Sequence, residues 1–299
     1  MSRRRFNSAY LLTLPALAGS ALFMIYPILF AVWLSFHRWD MLSDTRRFVG
    51  AANYVRVFSN ASFLQVLSNS CVYMALMTTL SVALALLLAL WLNENSIVKN
   101  LAQSAIFTPH IVSMVSVGIL WMWIMEPDIG LLNYILDLSG VQALLARFGQ
   151  GKIMWLESEK SALFSLVFIG VWKSLGYNAL ILIAGLQSLP KEIYESARLD
   201  RAGRLRTLFR ITIPLLSPSL FFLLIVNVTA SFQVFDSVHV LTRGGPLNSS
   251  NMLVHWIYQT GFEFYRIGEA SVGAVVLMLI AGGVTYANFK LLSRRVHYR

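Results

Sequence analysis

Charge is scarce in this chain. Only 13% of its 299 residues are charged, against the roughly 25% of ordinary soluble domains, while 57% are hydrophobic and the mean hydropathy is +0.64. This composition excludes a soluble globular domain and places the chain in a bilayer. Cysteine is nearly absent: Cys71 stands alone in an apolar run, so no intrachain disulfide can close and no dithiol redox chemistry is available. No set of His and Cys has metal-ligand spacing, no paired carboxylates occur and no nucleophile elbow appears, which removes the usual signatures of a membrane enzyme. The run Gly149-Gln150-Gly151-Lys152 lacks both the earlier Gly and the following Ser/Thr of a phosphate-binding loop, so ATP hydrolysis is not expected here. Neither a repeat of about 20–50 residues nor a long Gly/Ser/Pro linker divides the chain, so it reads as one transmembrane domain, 10–292, between short tails at 1–9 and 293–299.

What is present is a series of apolar runs. The stretch Phe6–Phe36 has no charged residue and exceeds the about 7–15 apolar residues of a secretory signal, so an uncleaved first helix is expected at about Tyr10–Phe36, kinked at Pro15 and Pro27. The second is expected within Val66–Leu92, the third at about Leu101–Met125, the fourth at about Ser161–Leu186, the fifth at about Leu215–Leu241 and the sixth at about Ala270–Leu292. Each is long enough at about 1.5 Å per residue to cross a core of about 30 Å. Between the third and fourth, LLNYILDL puts Leu131, Ile135 and Leu138 on one helical face, as in a segment lying at the membrane interface. The fold class is therefore all-α integral membrane, with about six spans.

Six spans leave both termini on one side. The loops on that side carry fourteen cations against four carboxylates, and the opposite loops nine against nine. Cytoplasmic loops gather Lys and Arg, so the termini are expected in the cytoplasm. The same rule accounts for the net charge of +10 without nucleic acid.

One long polar segment interrupts this pattern, the cytoplasmic stretch 188–214 between spans four and five. Ser188 is a candidate cap, Pro190 suits a first turn, and Glu192 and Glu195 sit where negative charge favours a helix amino end. After a break at Gly203, Leu205, Leu208, Phe209 and Thr212 recur at helical spacing up to Pro214. The small residues Ser196 and Ala197 after Glu195 let another protein surface approach the backbone, with the carboxylate open to an Arg.

These residues resemble the membrane-spanning permease subunits of bacterial ATP-driven, binding-protein-dependent ABC importers, in the carbohydrate group that also handles glycerol phosphate. That family's cytoplasmic signature reads E-A-A, three residues, G, nine residues, I, one residue, L-P. Here Glu195-Ser196-Ala197 is followed in frame by Ile211 and Ile213-Pro214. The stretches VWKSLGYNALILIAGLQSLPKEIYESA and FQVFDSVHVLTRGGPLNSS resemble the family as well. Position 201, the family glycine, is Arg, so Ala202-Gly203 is expected to supply the bend.

The resemblance implies a non-catalytic subunit whose coupling helix, formed around Glu195, Ser196, Ala197, Asp200, Arg201 and Gly203, seats in a separate ATPase. It implies a second permease, a dimer of ATP-binding subunits that hold the ATP and Mg, an extracytoplasmic solute-binding protein, and residence in the bacterial inner membrane. The alternative reading is an ion-coupled secondary transporter of a small polar solute, for which broken paired helices and several intramembrane carboxylates are expected.

A solute path needs polar side chains within the membrane. Ser174, Tyr177 and Asn178 fall within one turn of span four, and Asn227 and Ser231 lie at i, i+4 on span five. Each can serve as interhelical glue or as a solute contact. Lys173 and Asp236 can pair, or Lys173 can meet an anionic solute. His110 in span three reads as an interhelical polar group, and Trp172 and Gly244-Gly245-Pro246 as packing and loop geometry.

Overall fold

A computed structural model describes residues 8–94, 96–148 and 151–292. The tails with Arg3, Arg4, Arg5, Arg294, Arg295 and Arg299, and the pair Gly149-Gln150, lie outside them. Within these residues the chain is mostly helical, and its strands are one two-residue antiparallel ribbon, His37–Arg38 against Arg47–Phe48. Two compact units are present: the chain up to Phe63 with Trp256–Leu279, and Leu64–His255 with the residues from Ile280 on.

Among the described residues four helices are long and apolar enough to cross a bilayer: Leu12–Ser35, Ala61–Leu92, Ala162–Gln187 and Ile267–Ala287. Counting each of two bent pairs as one span gives the expected six: Ile97–Ile111 with Met114–Ile124 at 101° and Arg204–Leu215 with Ser217–Phe232 at 68°. Spans three and five are thus broken rather than continuous. In span three the backbone turns extended at Val112 and Ser113 (ψ 141° and 139°), three residues after Pro109. Proline removes a donor and crowds the turn before it, but the helix runs through Pro109 to Ile111 and parts only beyond it, where Lys173 reaches the carbonyls of Pro109, His110 and Val112. In span five the helix stops at Phe232, and a separate helix starts at Asp236 and runs to Leu241.

Two other prolines are absorbed without a break. A π-turn, Ala21–Ile25, precedes Pro27, and another, Leu208–Thr212, precedes Pro214. In each, the first amide after the π-turn reaches back five residues, Tyr26 to Ala21 and Ile213 to Leu208. One extra residue in the turn lets the ladder shift past the proline ring. The second amphipathic piece therefore does not stop at Pro214; it continues to Leu215, and the bend falls at Leu216.

The unit containing Leu64–His255 has two apolar clusters. One gathers Tyr73, Val117, Trp121, Leu166, Ile169 and Val238, with Trp172 edge-on to Trp121 at 5.4 Å. The other gathers Ala85, Ala89, Leu182, Leu186, Leu216 and Leu223. Span four runs through both and packs tightly on Ile97–Ile111: a Cβ on Gly176 would lie 2.1 Å from the Ile106 carbonyl oxygen, so only glycine permits that approach. The loop helix Leu131–Leu138 forms as expected, with Leu131, Ile135 and Leu138 exposed. Asn133 anchors it from its buried side, donating to the carbonyls of Pro127 and Ile153 and accepting from Trp155 Nε1.

Candidate coupling helix and translocation site

The polar segment folds as the helix Lys191–Leu199 followed by the shorter piece from Arg204. Its N-cap is Pro190, with extended ψ of 133°, and not Ser188, whose hydroxyl instead donates to the Gly185 carbonyl at 2.7 Å and belongs to the end of span four. Proline needs no partner for a missing amide, which is why it opens the helix well. Glu192 lies in the first turn, as charge at a helix amino end favours.

The helix closes on an unexpected residue. The Ala202 amide donates to the Ala197 carbonyl at 2.9 Å and the Arg201 amide to Arg198 at 3.0 Å, the paired bonds of a Schellman cap. Such a cap needs a left-handed residue, and Arg201 supplies it with φ of 52°. Gly203 has an ordinary φ of −67° and open space around its Cβ position. The bend is therefore at Arg201, the position of the family glycine, and the expectation that Ala202-Gly203 replaces it is overturned.

Glu195, Ser196 and Asp200 are exposed, whereas Ala197 is buried at 6% and faces inward. Tyr194 Oη donates to Thr212 Oγ1 at 3.2 Å and ties the helix to the second piece, and thereby to span five. Leu199, Leu205 and Phe209 are left 85%, 72% and 65% exposed beside this polar face.

Of the residues singled out for a solute path, Lys173, Ser174 and Asp236 line one cleft of about 260 Å³, with His110, Tyr73 and Gln233. Tyr177, Asn178, Asn227 and Ser231 are not in its wall. Asn178 and Asn227 exchange amide hydrogen bonds at 3.1 Å in both directions while Asn227 also donates to Leu223, and both are buried. The Ser231 hydroxyl donates to the Asn227 carbonyl at 2.7 Å, and Tyr177 stacks on His110 with centroids 4.7 Å apart. These four are occupied between or within helices.

Lys173 and Asp236 share the cleft but form no ion pair among the described residues. The three ammonium protons of Lys173 go instead to the carbonyls of Pro109 at 3.0 Å, His110 at 3.3 Å and Val112. These belong to the end of the broken span-three helix, so Lys173 satisfies carbonyls that the break leaves without helical donors. His110, Tyr73 and Gln233 carried no sequence signal for this site: His110 and Gln233 lie beside the breaks in spans three and five, and Tyr73 reaches the cleft from the continuous second span.

Residues 81–298 match the family described as binding-protein-dependent transport system inner membrane component. The chain belongs to this family. Its relatives include the sn-glycerol-3-phosphate transport system permease protein UgpA of Agrobacterium fabrum (strain C58), 34% identical over 97% of this chain and 96% of that one. UgpA of Yersinia pestis is 32% identical over 97% and 95%, and the probable ABC transporter permease protein YurN of Bacillus subtilis (strain 168) 32% over 94% of each. The fold matches the crystal structure of a bacterial ABC transporter involved in the import of the acidic polysaccharide alginate, with a TM-score of 0.79 at 21% identity over 96% of this chain and 95% of that one. The chain is accordingly a multi-pass permease subunit of a binding-protein-dependent importer, non-catalytic as its family is, and the ion-coupled alternative is not favoured.

Proposed function

We propose that this permease forms half of the path for a sugar, oligosaccharide or phosphorylated polyol, with a second permease as the other half, and is driven by a separate pair of ATPase subunits that seat Lys191–Leu199. Support for the coupling role comes from the exposed Glu195-Ser196 face, capped at Arg201 and tied to span five through Tyr194 and Thr212. ATP and Mg act in the partner, and an extracytoplasmic protein delivers the solute. An alginate importer with the same fold crystallises in complex with its alginate pentasaccharide-bound periplasmic protein, which supports that delivery route. The excess of Lys and Arg on their side of the chain supports a cytoplasmic position for both termini and residues 188–214.

The solute class rests on the relatives named for sn-glycerol 3-phosphate. Uptake by proteoliposomes holding both permeases, the ATPase and the binding protein tests it. ATP-dependent accumulation of sn-glycerol 3-phosphate or of a neutral sugar is expected, and abolished by Glu195→Arg together with co-purification of the ATPase. Uptake driven by an ion gradient in the absence of the ATPase overturns the proposal.

A further inference from the structure

A polar cleft of about 700 Å³ opens beside the short ribbon in the unit formed by the chain up to Phe63 and Trp256–Leu279. Its wall carries Arg38, Arg47, Arg56 and Arg266 against the carboxylates of Asp40 and Glu269, an excess of two positive charges. The charges are unequally satisfied. Glu269, buried at 7%, holds two of the arginines, Arg266 at 2.9 Å and Arg56 at 3.6 Å. Asp40 is consumed by its own turn: its Oδ1 accepts from the amides of Ser43 at 2.9 Å and Leu42 at 3.1 Å and from the Ser43 hydroxyl at 2.7 Å. These bonds, led by that from the Ser43 amide, hold its carboxyl below the ordinary carboxylate range, so it stays an anion committed to the loop.

Arg38 and Arg47 are left over. They are register partners on the ribbon, directly opposite each other, and both are exposed. Like charges directly opposite in an antiparallel pair destabilise it, and the ribbon is held against that by its other pair, His37 edge-on to Phe48 at 5.3 Å, and by Asn53, which donates to the His37 carbonyl at 2.9 Å. Among the described residues neither has an ion pair. The neighbouring Arg46, by contrast, is held over the rings of Trp39, Phe30 and Trp33 at 4.5, 5.6 and 6.0 Å. Strained backbone flanks the cleft on both sides, with Met41 at φ 59° and Tyr265 at φ 55°, a conformation that non-glycine residues keep only where the surroundings impose it.

We infer that the Arg38–Arg47 pair is an anion site of the phosphate class, in which one tetrahedral oxyanion bridges the two guanidinium groups. Arginine presents a planar fork that pairs two of its N–H groups with phosphate oxygens, and a bridging anion turns the cross-strand repulsion into attraction. The ribbon begins two residues after span one ends at Ser35, and Glu269 lies in the first turn of span six, so the site stands where the chain leaves the membrane. Two sources share this chemistry, the headgroup of an anionic phospholipid and a free phosphate.

Thermal unfolding of the full chain, purified with its partner subunits, tests the site. Melting is followed at fixed ionic strength in chloride and in inorganic phosphate, then in nanodiscs of phosphatidylglycerol and of phosphatidylcholine. A ligand bound by the folded state alone raises the melting temperature, here by several degrees, and Arg38→Gln/Arg47→Gln removes the rise. Arg47→Glu gives Arg38 an internal partner, so this variant melts in chloride as high as the wild type does in phosphate and no longer responds. A response to phosphatidylglycerol alone assigns the lipid headgroup; a response to phosphate in either lipid assigns the free anion. Identical melting in all four conditions overturns the inference, as does a response that survives in the double variant. So does a double variant that loses only stimulation by the binding protein, since that places the pair in a protein contact.

Discussion

At the scale of single residues, Arg201 shows how a sequence departure and a backbone requirement diverge. Where its relatives' signature has glycine, this chain keeps the left-handed turn and forces arginine to adopt it, at φ 52°. A non-glycine residue in that region is strained by about 1–3 kcal/mol, less for a long, unbranched side chain. Arg201→Gly is therefore expected to raise stability by about 1 kcal/mol, seen as a melting temperature a few degrees higher, with ATPase coupling retained. Gly203→Val is expected to lower stability by no more than about 1 kcal/mol, since its backbone is ordinary and its Cβ direction open and only glycine's advantage over valine at the helix N-cap is lost. A lower melting temperature for Arg201→Gly than for Gly203→Val would mean that the arginine side chain makes a contact worth more than its strain.

At the scale of elements, the unexpected feature is the broken third span and its clamp. Apolar periodicity across Leu101–Met125 is continuous, and a proline alone does not say whether a membrane helix kinks, absorbs the ring in a π-turn or breaks. All three outcomes depend on neighbours: Pro27 and Pro214 are absorbed, whereas the break after Pro109 has Lys173 of span four to take up its carbonyls. This is why the apolar segments themselves and the interfacial helix Leu131–Leu138 were legible in sequence while the internal breaks were not. It also changes the meaning of Lys173, which read as a candidate ion-pair or solute group and is engaged by three backbone oxygens. Lys173→Met strips those oxygens of their donors, and hydrogen bonds to a charged group contribute about 1.5–3 kcal/mol, so a loss of that order is expected. Transport of neutral and of anionic solutes is expected to fall together, and Lys173→Arg to restore part of both. A loss confined to anionic solutes, with melting unchanged, would show the ammonium acting on the solute instead.

At the scale of the whole molecule, the Glu195–Pro214 frame, which needs no side-chain geometry, pointed to the family. The helix Lys191–Leu199 was legible because its spacing is local. Of the solute-path residues only Lys173, Ser174 and Asp236 reach a common cleft, because polarity within a span marks glue and path alike. Orientation governs both sites proposed above, since Lys191–Leu199 must meet an ATPase inside and Arg38–Arg47 an anion outside. The single cysteine makes this directly measurable. In a Cys71→Ser background, Ser43→Cys places a thiol on the exposed loop beside the ribbon, and Ser196→Cys one on the exposed face of the coupling helix. A membrane-impermeant maleimide applied to intact cells is expected to label the first and to reach the second only after permeabilisation. The rule behind that expectation counts Lys and Arg, and the margin here is fourteen against nine, part of it from the tail arginines. Labelling at Ser196→Cys in intact cells would invert the topology, and with it remove the coupling helix from any ATPase and the arginine pair from the outer surface.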